Sequence, residues 1–185
     1  VHEAVYDQFK DLFLKNTAEL KTGDPKDEKT DIGPLIDQKA AERVDSWVQE
    51  AVSRGGKLLA GGPRQGDRVP PTLVEDAPAD CKLSREEAFG PVATLEKVRS
   101  ADEGIEKLAK SAYGLQAGIF TKDLSSVFKA WNTLPVGGII VNDIPAFRSD
   151  AMPYGGSKES GIGREGLRYA MEEFTEHRTL VIKHS

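Results

Sequence analysis

From Val92 onward, short apolar runs and amphipathic stretches take turns, and that alternation leaves few folds open to the chain. Val92 to Val98 reads as a strand, and Ser100-Ala101-Asp102-Glu103 fits a capping box opening a helix with Ile105, Leu108 and Ala109 inward. Ala117 to Thr121 is the next strand. Asp123 then caps a helix carrying Leu124, Val127, Phe128 and Trp131 on one side until Pro135 and the glycine pair stop it. Gly138 to Val141 is an apolar, β-branched run typical of a strand buried on both faces. A helix from Arg164 to Phe174 turns Leu167, Ala170, Met171 and Phe174 inward, and Thr179 to Ile182 closes the chain as a strand. This order predicts an α/β fold, a mainly parallel sheet covered by helices.

The first half is patterned less regularly. Val5, Phe9, Leu12, Phe13 and Leu20 recur at helical spacing and predict an amphipathic helix from Glu3 to Lys21, ended by Thr22-Gly23-Asp24-Pro25. Asp37 can cap a second helix with Ala41, Val44, Trp47, Val48, Ala51 and Val52 on its apolar face and Gly55-Gly56 at its end. Lys57 to Ala60 and Thr72 to Glu75 are short strand candidates around the loop from Gly61 to Pro71. No repeat, low-complexity tract or domain linker interrupts the chain.

Composition excludes several classes of function. With 185 residues, the chain suits one domain with a sizeable core. Hydrophobic residues make up 38% and charged residues 30%, with no apolar run long enough to cross a bilayer, so no membrane partner is expected. The formal charge of -5 arises from 30 acids and 25 bases that are scattered, leaving no basic stripe for a nucleic acid. A single cysteine rules out an internal disulfide and fits a reducing cytoplasm. Val1-His2-Glu3 has neither a basic nor an apolar leader region, and the absent initiator Met suggests a piece cut from a longer polypeptide.

Between the two halves lies Ser84-Arg85-Glu86-Glu87-Ala88-Phe89-Gly90-Pro91-Val92. Glu87 before a Gly-Pro turn can present its oxygens to a diol such as a ribose. In an extended segment Phe89 lies on the same side and can support a flat heterocycle. Gly90 supplies conformational freedom and Pro91 fixes φ. A solvated Glu pair with Phe89 as a core plug is the alternative.

Glu86 to Val92 resembles the EExFGPV segment of the aldehyde dehydrogenase superfamily, NAD(P)-dependent enzymes that oxidise aldehydes to acids. Three further segments fit in the same order: Tyr113 to Thr121, Gly137 to Asn142, and Pro153-Tyr154-Gly155-Gly156-Ser157-Lys158-Glu159-Ser160-Gly161 through Gly166. The resemblance implies that Glu87 contacts the nicotinamide ribose of NAD or NADP, with Phe89 as the wall beside it. It also implies that residues 1–177 are the C-terminal part of a catalytic domain. Residues 178–185 would then be a tail strand in the sheet that links subunits of a homo-oligomer, a dimer or tetramer at full length.

The loop from Asn142 to Gly163 is long for a compact domain, which argues for a task. Within it, Phe147 and Arg148 can enclose a small aldehyde and hold an anionic far end by a bidentate contact. Pairing of Arg148 with Asp150, or exposure to solvent, is the plainer role. The overall pattern from Pro153 to Gly166, together with Arg148, is most similar to the branch holding lactaldehyde, phosphonoacetaldehyde and succinate-semialdehyde dehydrogenases.

Two tempting motifs carry no chemistry in this reading. Gly161-Ile162-Gly163-Arg164-Glu165-Gly166 does not follow a strand directly and sets an acid where a phosphate would sit, so its glycines serve a tight reversal. Lys158 and Glu159 read as a solvated edge. Cys81 follows Asp76 and Asp80, which disfavour a thiolate, and His2, His177 and His184 lie at the chain ends. Family chemistry runs through a Cys thiohemiacetal and thioester, hydrolysed by water with a Glu general base. The resemblance puts that Cys, the general base and most of the dinucleotide-binding fold before Val1, so no catalytic or metal-binding residue is assigned here and the chain alone is expected to be inactive. Two other classes stay open: a non-catalytic α/β interaction or oligomerisation module, and a small metabolite-binding domain.

Overall fold

The computed structural model describes residues 1–184, which divide into two compact units, Val1–Gly104 and the remainder from Ile105. In the first unit, a single 3-10 turn (Glu3–Val5) leads into α1 (Tyr6–Glu19), with the His2 imidazole accepting from the Ala4 amide at 3.1 Å. The helix buries Tyr6 and packs Phe13 and Leu14 beside Leu73 and Leu95. Val5, Phe9, Leu12 and Leu20, expected inward, are exposed instead. Spacing identifies the apolar face of a helix; here the core covers only the flank that carries Tyr6.

The second helix forms as its sequence dictates. Asp37 accepts from the Ala40 amide at 2.7 Å and starts α2 (Gln38–Ser53), whose inward residues Ala41, Val44 and Ala51 are fully buried. Three strands follow: β1 (Lys57–Ala60), β2 (Thr72–Glu75) and, after the short α3 (Lys82–Arg85), β3 (Val92–Leu95). β2 is central, antiparallel to β1 and parallel to β3, with Thr72 opposite Val92 and Glu75 opposite Leu95. All four β2 residues are buried, Glu75 among them. Its carboxylate accepts from the Tyr6 hydroxyl at 2.8 Å and from Lys10 Nζ at 2.9 Å, and Lys57 Nζ lies at 3.5 Å. Lys10 and Lys97 also stand over the Tyr6 ring, 5.3 and 4.6 Å from its centroid.

The chain enters the second unit along α4 (Ala101–Ala109), where the Ser100 hydroxyl accepts from the Glu103 amide and the Glu103 carboxylate from the Arg99 amide. β4 (Tyr113–Gly114), β5 (Gln116–Ile119), α5 (Leu124–Thr133) and β6 (Gly138–Val141) come next, with Asp123 capping α5 through the amides of Ser125 and Ser126. β5 and β6 pair in parallel, Ala117 opposite Ile139, as the alternation predicts. β4 pairs antiparallel with β7 (Ser157–Lys158), and α6 (Leu167–Glu173) is the last helix. The core of this unit is Ile105, Ala130 and Leu134, with Ala109, Ala117, Ile119, Val136 and Ile139 packed against it.

The α/β class holds, with the strands divided among three small sheets that include two parallel pairs. Several expected core faces lie open. α5 turns Ala130 inward, joined by Leu134 at its C-terminal cap, and leaves Leu124, Phe128 and Trp131 exposed. Leu108 of α4 and Leu167, Met171 and Phe174 at α6 are exposed too, and Val141 of β6 is not covered on both faces. Apolar periodicity marks these faces, yet the described residues leave them largely exposed. Residues 175–184 form no strand there, and Leu180, Val181 and Ile182 are exposed. Among the described residues, no helix is long and apolar enough to cross a membrane.

Candidate functional site

The bend before β3 is built from the α2 side. Arg43 donates from Nη2 to the Ala88 carbonyl at 2.9 Å while its guanidinium stacks on Trp47, 4.8 Å from the ring centroid. Gly90 lies so close to Val44 that an added Cβ would meet Val44 Cγ2 at 3.0 Å. Glu86 is extended, but Phe89 sits at φ 48°, so the same-side placement expected of an extended segment does not apply. A positive φ in a bulky residue is held by its surroundings, here Arg43 and the Gly-Pro turn. The Phe89 ring is 74% exposed, which removes the core-plug alternative. The Glu87 carboxylate is exposed and accepts no hydrogen bond from the described residues. Such a carboxylate can accept from a diol, which is the chemistry a nicotinamide ribose offers.

The second group of residues stands on the loop that leaves β6. Asn142 turns the chain at φ 59° while its Oδ1 accepts from the Thr121 amide. The Gln116 side-chain amide donates to the carbonyls of Pro145 and Phe147 at 2.9 and 3.2 Å, tying the loop to β5. Sequence reasoning missed Gln116, whose only signal was a lone polar residue beside an apolar strand. Phe147 is half-exposed. Arg148 pairs with neither Asp150 nor solvent alone: its Nη2 donates to Glu165 Oε2 at 2.9 Å, and its guanidinium lies over the Tyr154 ring, 4.4 Å from the centroid. Glu87 and Phe89 belong to the first unit, Phe147 and Arg148 to the second.

The remaining motifs are structural. A Cβ on Gly137 would fall on the Gly155 carbonyl oxygen, and one on Gly155 would meet the Gly163 oxygen at 2.5 Å, so these glycines serve close backbone approach. The Arg164 amide donates to the Glu173 carboxylate at 2.9 Å, which leaves that turn unfit to cradle a phosphate. Lys158 is more than a solvated edge, since its Nζ donates to the carbonyls of Ala109, the last residue of α4, and Ser111 just beyond it. The Cys81 thiol is fully buried against Ala51, Val74 and Leu83, 3.5 Å from Ser84 Oγ, and out of reach of a substrate. Asp80, its acidic neighbour, is gripped by Arg54 at 2.7 Å to both oxygens. That contact holds the Asp80 carboxyl below its ordinary range.

Known proteins give this geometry a context. A 3-sulfolactaldehyde dehydrogenase of Priestia megaterium is 48% identical over 182 residues, covering 98% of this chain and 38% of that protein. The crystal structure of aldehyde dehydrogenase 21 from Physcomitrella patens, in complex with the reaction product succinate, superposes with a TM-score of 0.96 at 47% identity, covering 99% of this chain and 38% of that one. A glyceraldehyde-3-phosphate dehydrogenase from Methanocaldococcus jannaschii complexed with NADP gives a TM-score of 0.88 at 42% identity, over 94% of this chain and 38% of its own. The chain thus spans well under half the length of these relatives. The profile of the Aldehyde dehydrogenase family matches residues 1–180, and the chain belongs to that family.

Proposed function

We propose that these residues form the part of an NAD(P)-dependent aldehyde dehydrogenase that grips the nicotinamide ribose and the far end of a small anionic or hydroxylated aldehyde. The observation that carries the reading is Arg148. Its guanidinium spends one nitrogen on Glu165 and, among the described residues, leaves Nη1 and Nε without a hydrogen bond, at a loop beside the half-exposed Phe147. A sulfonate or carboxylate is the group such a donor recognises. A sulfonated aldehyde in one relative's name and a succinate product in the structure of another support that choice.

In this reading Glu87 accepts from the ribose hydroxyls and the exposed Phe89 ring forms the wall beside the nicotinamide. A bound nicotinamide supplies the hydride acceptor. Arg148 and Phe147 hold the aldehyde by its far end, which fixes the direction in which its carbonyl points. The nucleophilic thiol comes from outside these 185 residues, because the one cysteine present is buried, and the family resemblance puts the general base outside them as well. The purified 185-residue chain is therefore expected to show no NAD(P)-dependent oxidation of any aldehyde, and turnover would refute the assignment. In the full-length enzyme, Arg148→Ala should raise KM for a charged aldehyde about 10- to 100-fold, the range of a lost charged hydrogen bond, with a neutral aldehyde little affected. Equal effects on both would remove the anion anchor.

A second reading rests on the tail. Leu180, Val181 and Ile182 are exposed and offer an apolar strand to another subunit by edge addition. It predicts a homo-oligomer whose size falls when residues 178–185 are deleted, measured by light scattering; an unchanged mass speaks against it. A lone buried thiol also suits a protein kept in the cytoplasm.

A further inference from the structure

Arg148 has a long, flexible side chain, and a guanidinium that samples many rotamers binds an anion poorly because it must first be ordered. The chain around it removes that freedom. Ser149 to Met152 closes a turn, with the Met152 amide donating to the Ser149 carbonyl at 3.1 Å, and so brings Tyr154 back toward Arg148. Tyr154 and Glu165 then form an antiparallel bridge through two backbone hydrogen bonds, Tyr154 N to Glu165 O at 3.0 Å and Glu165 N to Tyr154 O at 2.6 Å. Residues directly opposite in such a bridge project their side chains to one face. Gly155 permits a close approach beside the bridge, since a Cβ there would meet the Gly163 carbonyl oxygen at 2.5 Å. The ring of Tyr154 and the carboxylate of Glu165 therefore arrive together, one under the guanidinium face and one at its edge.

We propose that Tyr154 and Glu165 are positioning residues that hold the Arg148 guanidinium ready for the anionic end of the substrate and so set the preference for charged over neutral aldehydes. The proposal rests on the reading of Arg148 as anion anchor. The two contacts do different work. The aromatic face fixes the plane of the guanidinium, and the carboxylate fixes its rotation within that plane, so that Nη1 is presented in one direction. The Tyr154 hydroxyl makes no hydrogen bond among the described residues, so the ring alone is required.

The test uses the full-length enzyme and two substrates of similar size, 3-sulfolactaldehyde and the uncharged lactaldehyde, with kcat/KM for the first divided by that for the second. Tyr154→Leu and Glu165→Gln should each lower this ratio at least 5-fold through KM for the charged substrate, while Tyr154→Phe stays within 2-fold of the parent. In an Arg148→Ala background, Tyr154→Leu should change the ratio no further, since it acts through the guanidinium. A merely structural role would lower kcat/KM for both substrates alike and leave the ratio unmoved. If Arg148→Ala collapses the ratio but neither Tyr154→Leu nor Glu165→Gln does, the positioning pair is wrong and the anchor stands. If Arg148→Ala leaves the ratio intact, the anchor falls and the positioning pair with it. Should Tyr154→Leu fail to fold, Glu165→Gln and the Phe variant still decide the matter.

Discussion

Glu75 is a carboxylate on the central strand of a sheet, where an uncompensated charge would be costly, and three partners answer it. Hydrogen bonds from Lys10 and Tyr6 hold the Glu75 carboxyl below its ordinary value of 4.5, while burial, reinforced by the Glu75 contact, pushes the Tyr6 phenol well above its ordinary 10.0. The signs set a pH window. A depressed carboxyl contributes stability that is complete above pH 4.5 and disappears as pH falls through the lower folded value. A raised phenol contributes stability that is complete below pH 10.0 and fades above it. Urea midpoints of the chain should therefore be flat between these limits and fall on either side. Glu75→Gln should cost about 1–3 kcal/mol at neutral pH, as expected when a buried charged hydrogen bond is weakened, and should flatten the acid limb. An unchanged acid limb would assign the pH dependence elsewhere. None of this was legible beforehand, because Tyr6 and Glu75 lie 69 residues apart and each reads locally as an ordinary helix or strand position.

Elements were legible where the signal is short-range. Asp37 and Asp123 sit three residues or fewer from the amides they cap, and both caps form as the sequence predicts. Asp37→Ala should lower stability by about 1 kcal/mol, read as a shift in the urea midpoint with an unchanged slope. The longer helices were equally plain, whereas the four-residue α3 gave no periodic signal and went unpredicted; the side a helix buries was not legible either, because a period of 3.6 marks an apolar face without saying whether anything covers it. The bend at Glu86 to Val92 was found as a segment and misjudged in conformation: Phe89 takes a positive φ that only the Arg43 contact and the Gly-Pro turn explain. At Gly137 the constraint is tertiary. A Cβ there would collide with the Gly155 carbonyl, so Gly137→Ala should push the start of β6 away from the glycine loop. It should cost about 3 kcal/mol or more, the range of severe overpacking. Full retention of the urea midpoint would show that the two backbones part easily.

At the scale of the molecule, the α/β class and the parallel pairing of β5 with β6 follow from the alternation of elements, whereas the parallel pairing of β2 with β3 and the uncovered surfaces do not. Val127, Phe128 and Trp131 of α5 face Ile139 and Val141 of β6 across a recess of about 220 Å³, with Trp131 66% exposed. Apolar surface of this kind on a lone chain is sticky, since water is released when anything apolar covers it. The 185-residue chain should therefore bind a hydrophobic dye such as anilinonaphthalene sulfonate and self-associate with rising concentration. Changing Phe128 to Glu and Trp131 to Lys together should suppress both effects without lowering the urea midpoint by more than about 0.5 kcal/mol, because exposed positions contribute little to the core. The core of that unit rests instead on Ile105, Ala130 and Leu134. If the double variant bound dye as well as the parent, the sticky surface would have to be sought on α6, where Leu167 and Phe174 are exposed, or on the tail from Leu180 to Ile182.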